Sequence, residues 1–468
     1  MRANGSAEGP KRPRRFGGQE NVTCATVSES ATGHRRSCSS ASIGSSHDSS
    51  HPLGPPTHHL EPTARHTPPA VCRHPPHHLG LAAAGLTTAT QAAADGPGVG
   101  TPWVASLGDS YISGEAGRWA GNSNSSSSSV DALGSTAYYD NATRTAEQIN
   151  RCHRSWAASI YISAGTQGVD LACSGAQTST YTSSDGYFKP GLDFYDNGAG
   201  KQGQAKMLQN FAAGHNVKMV VVSIGGNDFN FAGIIQSCVT NFLTSPSWWP
   251  NYCYDDSSVK ANFTSTNVAT VKARITTALL NVRQAMRNAG YADSAWTLVV
   301  QDYPSPIPSG SGFRYSQSGY TRQSTGGCGF WNRDADWANS SALPTINNTV
   351  KGALTASGIA GAKVLELQSA FNGRRLCENT VGLLQEKGFS SWTQAGAVDK
   401  TEWISQIRTL STATGPYYVQ ESLHPNYWGE LAERSCVRQV WNGGAVRGGT
   451  CTIAGTGLLN GEPRMSLL

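Results

Sequence analysis

The run Lys218-Met219-Val220-Val221-Val222-Ser223-Ile224 is almost continuously apolar and stops at Gly225-Gly226. A strand with one wet face alternates apolar and polar residues, whereas a run this continuous fits a parallel strand covered on both faces. Parallel neighbours need crossover connections, so one such strand commits the chain to alternating β and α elements. That alternation is present. Short apolar runs at 103–107, about 168–172, 296–301 and 363–367 alternate with amphipathic stretches at about 202–214, 266–289, 334–357 and 427–442. In the longest stretch, Val268, Val271, Ile275, Leu279, Val282 and Met286 recur at spacings of three and four, which predicts one buried stripe. The expected class is α/β with a parallel sheet.

The first hundred residues do not share this pattern. They hold nine of the chain's twelve histidines, with clusters such as Lys11-Arg12-Pro13-Arg14-Arg15 and His74-Pro75-Pro76-His77-His78, and lack apolar periodicity. Residues 1–94 are therefore expected to be a disordered leader. Within it, 73–94 resembles a secretory signal: Arg73, an apolar stretch from Leu79 to Leu86, and small residues at Ala92-Ala93-Ala94. Of two readings of 1–78, an extended leader or a true start downstream of Met1, the second is favoured. A domain over 100–455 and a tail over 456–468 complete the expected organisation. Beyond residue 100 the chain carries 27 Lys/Arg against 25 Asp/Glu, too even a balance for a nucleic-acid footprint. No apolar run is long enough to span a bilayer.

Three of the eleven cysteines lie in the leader (Cys24, Cys38, Cys72), leaving eight. An even set points to disulfides and an oxidising compartment. Eight cysteines allow about 105 pairings. The expected one joins neighbours in order, Cys152–Cys173, Cys238–Cys253, Cys328–Cys377 and Cys436–Cys451, each closing a local loop. Neither CxxC nor HExxH occurs, so no metal site is expected. Trp248-Trp249-Pro250 lies between two of these cysteines, in a segment, 237–258, that reads as an insertion, and 303–332 reads as another.

Three separated segments each end an expected strand or open an expected helix with a residue that acyl transfer can use. They are Gly108-Asp109-Ser110-Tyr111, Gly225-Gly226-Asn227-Asp228 and Ser422-Leu423-His424-Pro425-Asn426. The first supplies a hydroxyl, the second an amide, the third an imidazole. Serine is a poor nucleophile without a base. Beyond residue 100 the candidate bases among histidines are His153, His215 and His424; His215 ends an expected helix, where it reads as a cap. Asp109 and Asp228 adjoin the segments and read as turn-holding residues.

These blocks resemble the SGNH, or GDSL-type, hydrolases. The resemblance implies a three-layer, flavodoxin-like α/β/α fold with a parallel sheet, in which Ser110 is the nucleophile, His424 the base, and the Ser110 amide, Gly175 and Asn227 hold the oxyanion. Gly175 rests on the short block Ala172-Cys173-Ser174-Gly175-Ala176. The family often places an aspartate three residues before the histidine; here that position is Glu421. Either Glu421 or a main-chain carbonyl is expected to orient His424. The chain has no G-x-S-x-G, which speaks against the ordinary α/β-hydrolase elbow.

The function this implies is a secreted serine esterase or lipase that hydrolyses carboxylic acyl esters through a Ser-His pair and an acyl-enzyme. Alternatives are a carbohydrate acetylesterase and a non-catalytic glycan- or lipid-binding module. The expected partner is a small-molecule or lipid ester, with no cofactor, no nucleic acid, no stable membrane insertion and a monomeric state.

Overall fold

The computed structural model describes residues 96–409 and 415–468; the expected leader and its signal-like segment at 73–94 lie outside the described residues. The main sheet is built from β1 (Pro102–Gly108), β2 (Gln167–Asp170), β5 (Asn216–Ser223), β6 (Thr297–Gln301), β7 (Lys363–Glu366), β8 (Gly449–Leu459) and β9 (Glu462–Leu467), in spatial order β2-β1-β5-β6-β7-β8-β9. A two-stranded hairpin, β3 (Tyr181–Thr182) and β4 (Phe188–Lys189), stands apart. Pairing is parallel from β2 to β8, and only β9 runs antiparallel. The first five strands of this sheet follow the flavodoxin-like doubly wound order, in which the direction of winding reverses between β1 and β5.

Residues on alternate sides of each strand feed two cores. Val104, Met219, Val221, Val299 and Leu365 pack with the helices Phe231–Thr244 and Tyr427–Trp441. Ala105, Leu107, Val220, Val222, Leu298 and Val300 face the helices Gln204–Ala212, Ser265–Asn288 and Leu343–Ser357. The long helix buries Val271, Ile275, Leu279, Val282 and Met286 in this second core, with Val268 packed half-exposed at its margin. At roughly 1.5–3 kcal/mol for each fully buried large aliphatic side chain, that stripe is among the strongest local contributions to the fold. The four disulfides join Cys152 to Cys173, Cys238 to Cys253, Cys328 to Cys377 and Cys436 to Cys451, neighbours in sequence each time.

Two expectations need correction. Residues 456–468 are not a tail: β8 and β9 form a hairpin that extends the sheet beyond β7, with Cys451 and Leu467 buried against the helix Tyr427–Trp441. Glycines at 449, 455 and 457 weaken the strand pattern, and most of β8 alternates only between half-exposed and exposed positions. The segment 237–258 is likewise only partly an insertion. Its first eight residues complete the helix Phe231–Thr244, whose Phe231, Ile234, Ile235, Cys238, Val239 and Phe242 do carry a helical period. Trp248 and Trp249 then stand out in the loop, 80% and 72% exposed, and so do not pack beneath the disulfide.

Candidate active site

Ligands of doubly wound sheets bind beyond the carboxyl ends of the strands where the winding reverses. Here those ends belong to β1 and β5. After β1 the chain turns into the short helix Ser110–Ser113, with Asp109 as N-cap accepting from the Tyr111 amide at 3.1 Å. The turn is close-packed: the Asp109 amide donates to the Ser223 carbonyl at 2.9 Å, and a Cβ on Gly108, which has φ +140°, would lie 1.9 Å from that same oxygen. Only glycine fits there. The buried Gln204 side chain clasps the turn from the other side, accepting from the Gly108 amide at 2.7 Å and donating to the Gly108 carbonyl at 2.8 Å.

After β5, Asn227 opens a single 3-10 turn, and its Nδ2 donates to the Ala176 carbonyl at 2.9 Å. An amide nitrogen carries two protons, so one remains for another acceptor. Asp228 ties the same two loops together, accepting from the Thr178 hydroxyl at 2.7 Å and the Thr178 amide at 3.1 Å. This places the 172–178 loop, including Gly175 at φ +78°, beside Asn227. Cys173 reaches the serine turn directly, its amide donating to the Gly108 carbonyl at 3.1 Å. Among the described residues neither the Ser110 amide nor the Gly175 amide has a hydrogen-bond acceptor in the protein.

His424 arrives from the far end of the chain. Leu423, at φ +64°, turns the backbone just before it, and Asn426 caps the following helix by accepting from the Trp428 amide at 3.0 Å. The strand-like segment around Ser405 holds this loop, with the Ser405 amide donating to the His424 carbonyl at 2.9 Å. Tyr111 links the loop to the serine helix, its hydroxyl donating to the Leu423 carbonyl at 2.7 Å. In this setting His424 Nε2 lies 2.6 Å from Ser110 Oγ, although 314 residues separate the two.

The tautomer follows from the second contact. Nδ1 sits 2.9 Å from the Ser422 carbonyl oxygen, which can only accept, so Nδ1 carries the proton and Nε2 is free to accept from Ser110. Burial holds the imidazole's pKa below its ordinary value, opposed by the Glu115 charge and the Ser422 carbonyl. Glu421 is not the orienting acid. Its carboxylate accepts from the Tyr138 hydroxyl at 2.6 Å and the Tyr418 amide at 3.0 Å, and burial raises its pKa to about 7. The short 3-10 turn Val419–Glu421 aims the side chain away from the ring, a direction that spacing alone does not encode.

Of the residues expected from the sequence, the structure brings Ser110 and His424 into contact and sets Asn227 on the wall of the same cavity as Ser110. Gly175 joins them through the neighbouring Ala176, while Glu421 stays outside. His153 does not contact Ser110: its Nδ1 is 2.7 Å from the wholly buried Glu115, a pair near enough to His424 for both to act on the charge of its ring, and His215 caps its helix with Nδ1 2.7 Å from the Phe211 carbonyl. Sequence reasoning missed Gln204 and Tyr303. The Tyr303 hydroxyl donates to Asp109 Oδ2 at 2.5 Å and accepts from the Gly226 amide at 2.9 Å, so it braces the serine and asparagine loops together. Burial lifts the Asp109 pKa to about 7 against the pull of those bonds. Tyr303 was legible only by position, since it follows directly on β6 at the same end of the sheet.

No protein-family model matches the chain, and no curated protein does. Among solved structures, an extracellular lipase from Streptomyces rimosus is similar at 21% identity with a TM-score of 0.37, over 74% of this chain and 100% of that one. A phospholipase A1 from Streptomyces albidoflavus gives 19% identity and a TM-score of 0.37 over the same shares. A carbohydrate acetylesterase from Sinorhizobium meliloti gives 10% and 0.25, over 56% of this chain and 83% of its own. Likeness at this level assigns no function.

Proposed function

We propose that this protein is a secreted carboxylic-ester hydrolase of the SGNH type, working through a Ser110–His424 pair. The observation that carries this reading is the 2.6 Å approach of His424 Nε2 to Ser110 Oγ at the carboxyl end of β1, with Nδ1 fixed by a carbonyl. In the first step Oγ attacks the ester carbonyl carbon as its proton passes to Nε2. The tetrahedral oxyanion is held by the Ser110 amide, the Gly175 amide and the second Nδ2 proton of Asn227. Collapse breaks the bond to the alkoxy group, which leaves with the proton from His424, and an acyl-serine remains. Water, deprotonated by His424, then attacks that ester and releases the carboxylic acid.

Four disulfides support export to an oxidising compartment. Among the described residues no helix is long and apolar enough to cross a membrane. An idle binding module has no use for a hydroxyl and an imidazole at bonding distance. The test is hydrolysis of p-nitrophenyl esters by the purified protein and by Ser110→Ala. Release of nitrophenol that is equal in both would end the proposal.

Two expected outcomes distinguish this dyad from a triad. Glu421→Gln is expected to keep turnover within about tenfold of the parent, whereas replacing the acid that orients a triad histidine lowers kcat by about 10⁴. Steady-state kinetics on a soluble ester decide between them. The pH profile is the other. His424 must be neutral to accept the proton, and burial lowers its pKa, so the acid limb of kcat/KM should have its midpoint below the ordinary histidine value of about 6.5. A midpoint above that value, or no limb, would contradict the assignment.

A further inference from the structure

The chain that leaves the serine turn delivers a second polar group to the interior. Gly114, at φ +85°, ends the short helix Ser110–Ser113, and the next residue, Glu115, is wholly buried. Glu115 Oε1 lies 2.7 Å from His153 Nδ1, and His153 is buried as well. The histidine backbone stands at φ +48°, a left-handed conformation that a residue with a side chain adopts at some cost. Cys152 fixes it from the preceding position, through the disulfide to Cys173 and a carbonyl that accepts from the Ser174 amide at 3.0 Å. On its other side the pair meets the His424 loop. The Tyr138 ring stacks on His153 with centroids 4.4 Å apart, its hydroxyl donates to Glu421 Oε1 at 2.6 Å, and the Glu421 carbonyl accepts from the His424 amide at 3.3 Å. Glu115 and His153 are thus clamped among the segments that carry Ser110, Gly175 and His424.

Each member keeps the other charged. Burial would raise the Glu115 pKa, but the charge and hydrogen bond of His153 outweigh it and hold the carboxyl below its ordinary value. Burial would lower the His153 pKa, and Glu115 reverses that in turn. Other charges near the pair are Lys189, Glu421 and Glu147, whose Oε1 is 3.6 Å from His153 Nε2. The Tyr418 ring also faces His153, with centroids 4.9 Å apart. Against His424 itself lies the Tyr111 ring, 4.9 Å away between centroids and kept protonated by burial. At the His424 ring the pair does not cancel. After burial, which lowers that ring's pKa, the largest influence is the Glu115 charge, which raises it, and His153 opposes Glu115 more weakly.

We propose that Glu115 is the counter-charge of His424, a positioning residue that stabilises through space the imidazolium formed when Ser110 gives up its proton, and that His153 keeps it ionised. The inference rests on the hydrolase reading above and deepens it. A triad holds that developing charge with an acid on Nδ1. Here Nδ1 meets the neutral Ser422 carbonyl, and Glu421 points elsewhere. A buried, ionised carboxylate supplies the missing field without touching the ring, because charges act more strongly where water is excluded.

The test uses the full chain and reads the His424 charge in two ways. Glu115→Gln keeps the size and loses the charge, so the imidazolium loses an attractive neighbour and its pKa falls. The acid limb of kcat/KM should then move to lower pH by at least about half a unit. The plateau of kcat should fall about threefold to tenfold, since half a unit is about threefold in the stability of the protonated ring. Histidine-ring NMR of the same change in a Ser110→Ala background follows the titration without turnover, with the His424 signal identified by its absence from His424→Gln. Glu421→Gln is the control. That carboxyl, with a pKa of about 7, is largely protonated across the acid limb, so the midpoint should move by less than about 0.2 unit. If Glu115→Gln fails to fold, His153→Gln carries the test: Glu115, buried without its cation, takes up a proton, and the His424 midpoint should move the same way. A midpoint that stays or rises in the variant tested overturns the proposal even where kcat has fallen, as does an equal shift in Glu421→Gln. A ring titration that falls as expected, in a protein inactive on every ester, would instead keep the coupling and remove the hydrolase reading.

Discussion

Ser110→Ala, His424→Ala and the double variant are expected to fall to one common floor, on the order of 10⁶ below the parent in turnover. In the proposed mechanism the hydroxyl and the imidazole perform one proton transfer between them. Once either is gone, removing the other has nothing left to take away. The 2.6 Å contact and the fixed tautomer make them a unit in this sense. Single-turnover kinetics on a p-nitrophenyl ester, with thermal unfolding as a control for the fold, measure the effect. If the two single losses added in the double variant, the residues would be acting independently and the shared step would be wrong.

Asn227→Ala should lower turnover by about 10² to 10³ while leaving KM nearly unchanged. Its Nδ2 has one proton committed to the Ala176 carbonyl, which fixes the amide and leaves the other for charge that develops only in the transition state. A donor used at that moment alone affects kcat, whereas one used equally in the bound substrate affects KM. The committed bond complicates the variant, because losing it also loosens the 172–178 loop that carries Gly175. Asn227→Asp keeps the size but loses the same bond and sets a carboxylate where the oxyanion forms, so its kcat should fall at least as far, and an unchanged thermal midpoint in Asn227→Ala isolates the oxyanion role. Normal turnover in both would dismiss it.

Much of this architecture is written locally. A central parallel strand is wet on neither face, so its Met219–Val222 stretch is apolar throughout, and the neighbouring runs at 103–107 and 296–301 are largely apolar for the same reason. The long helix announces itself through a stripe at spacings of three and four. Disulfide partners close to one another in sequence are brought together by the elements that flank them. The Gly108-Asp109-Ser110 turn is legible too, because a chain leaving a strand beside the Ser223 carbonyl admits no side chain at Gly108.

What escaped the sequence depends on direction and on distance along the chain. The spacing from Glu421 to His424 allows a carboxylate–imidazole bond, yet the turn at 419–421 and the left-handed Leu423 send the two side chains apart, and a carbonyl takes the place of the acid. Gln204 and Tyr303 brace the serine turn from helices and loops whose own patterns say nothing of it. The hairpin of β8 and β9 owes its place to the edge left open by β7, since its glycine-rich sequence specifies a strand only weakly. Periodicity marked the central strands and the long helices, and the residues at their ends marked three segments with groups that acyl transfer can use. The tertiary structure decided that Ser110 and His424 meet and what orients the imidazole, because those depend on how distant segments are brought together, and no local pattern records that.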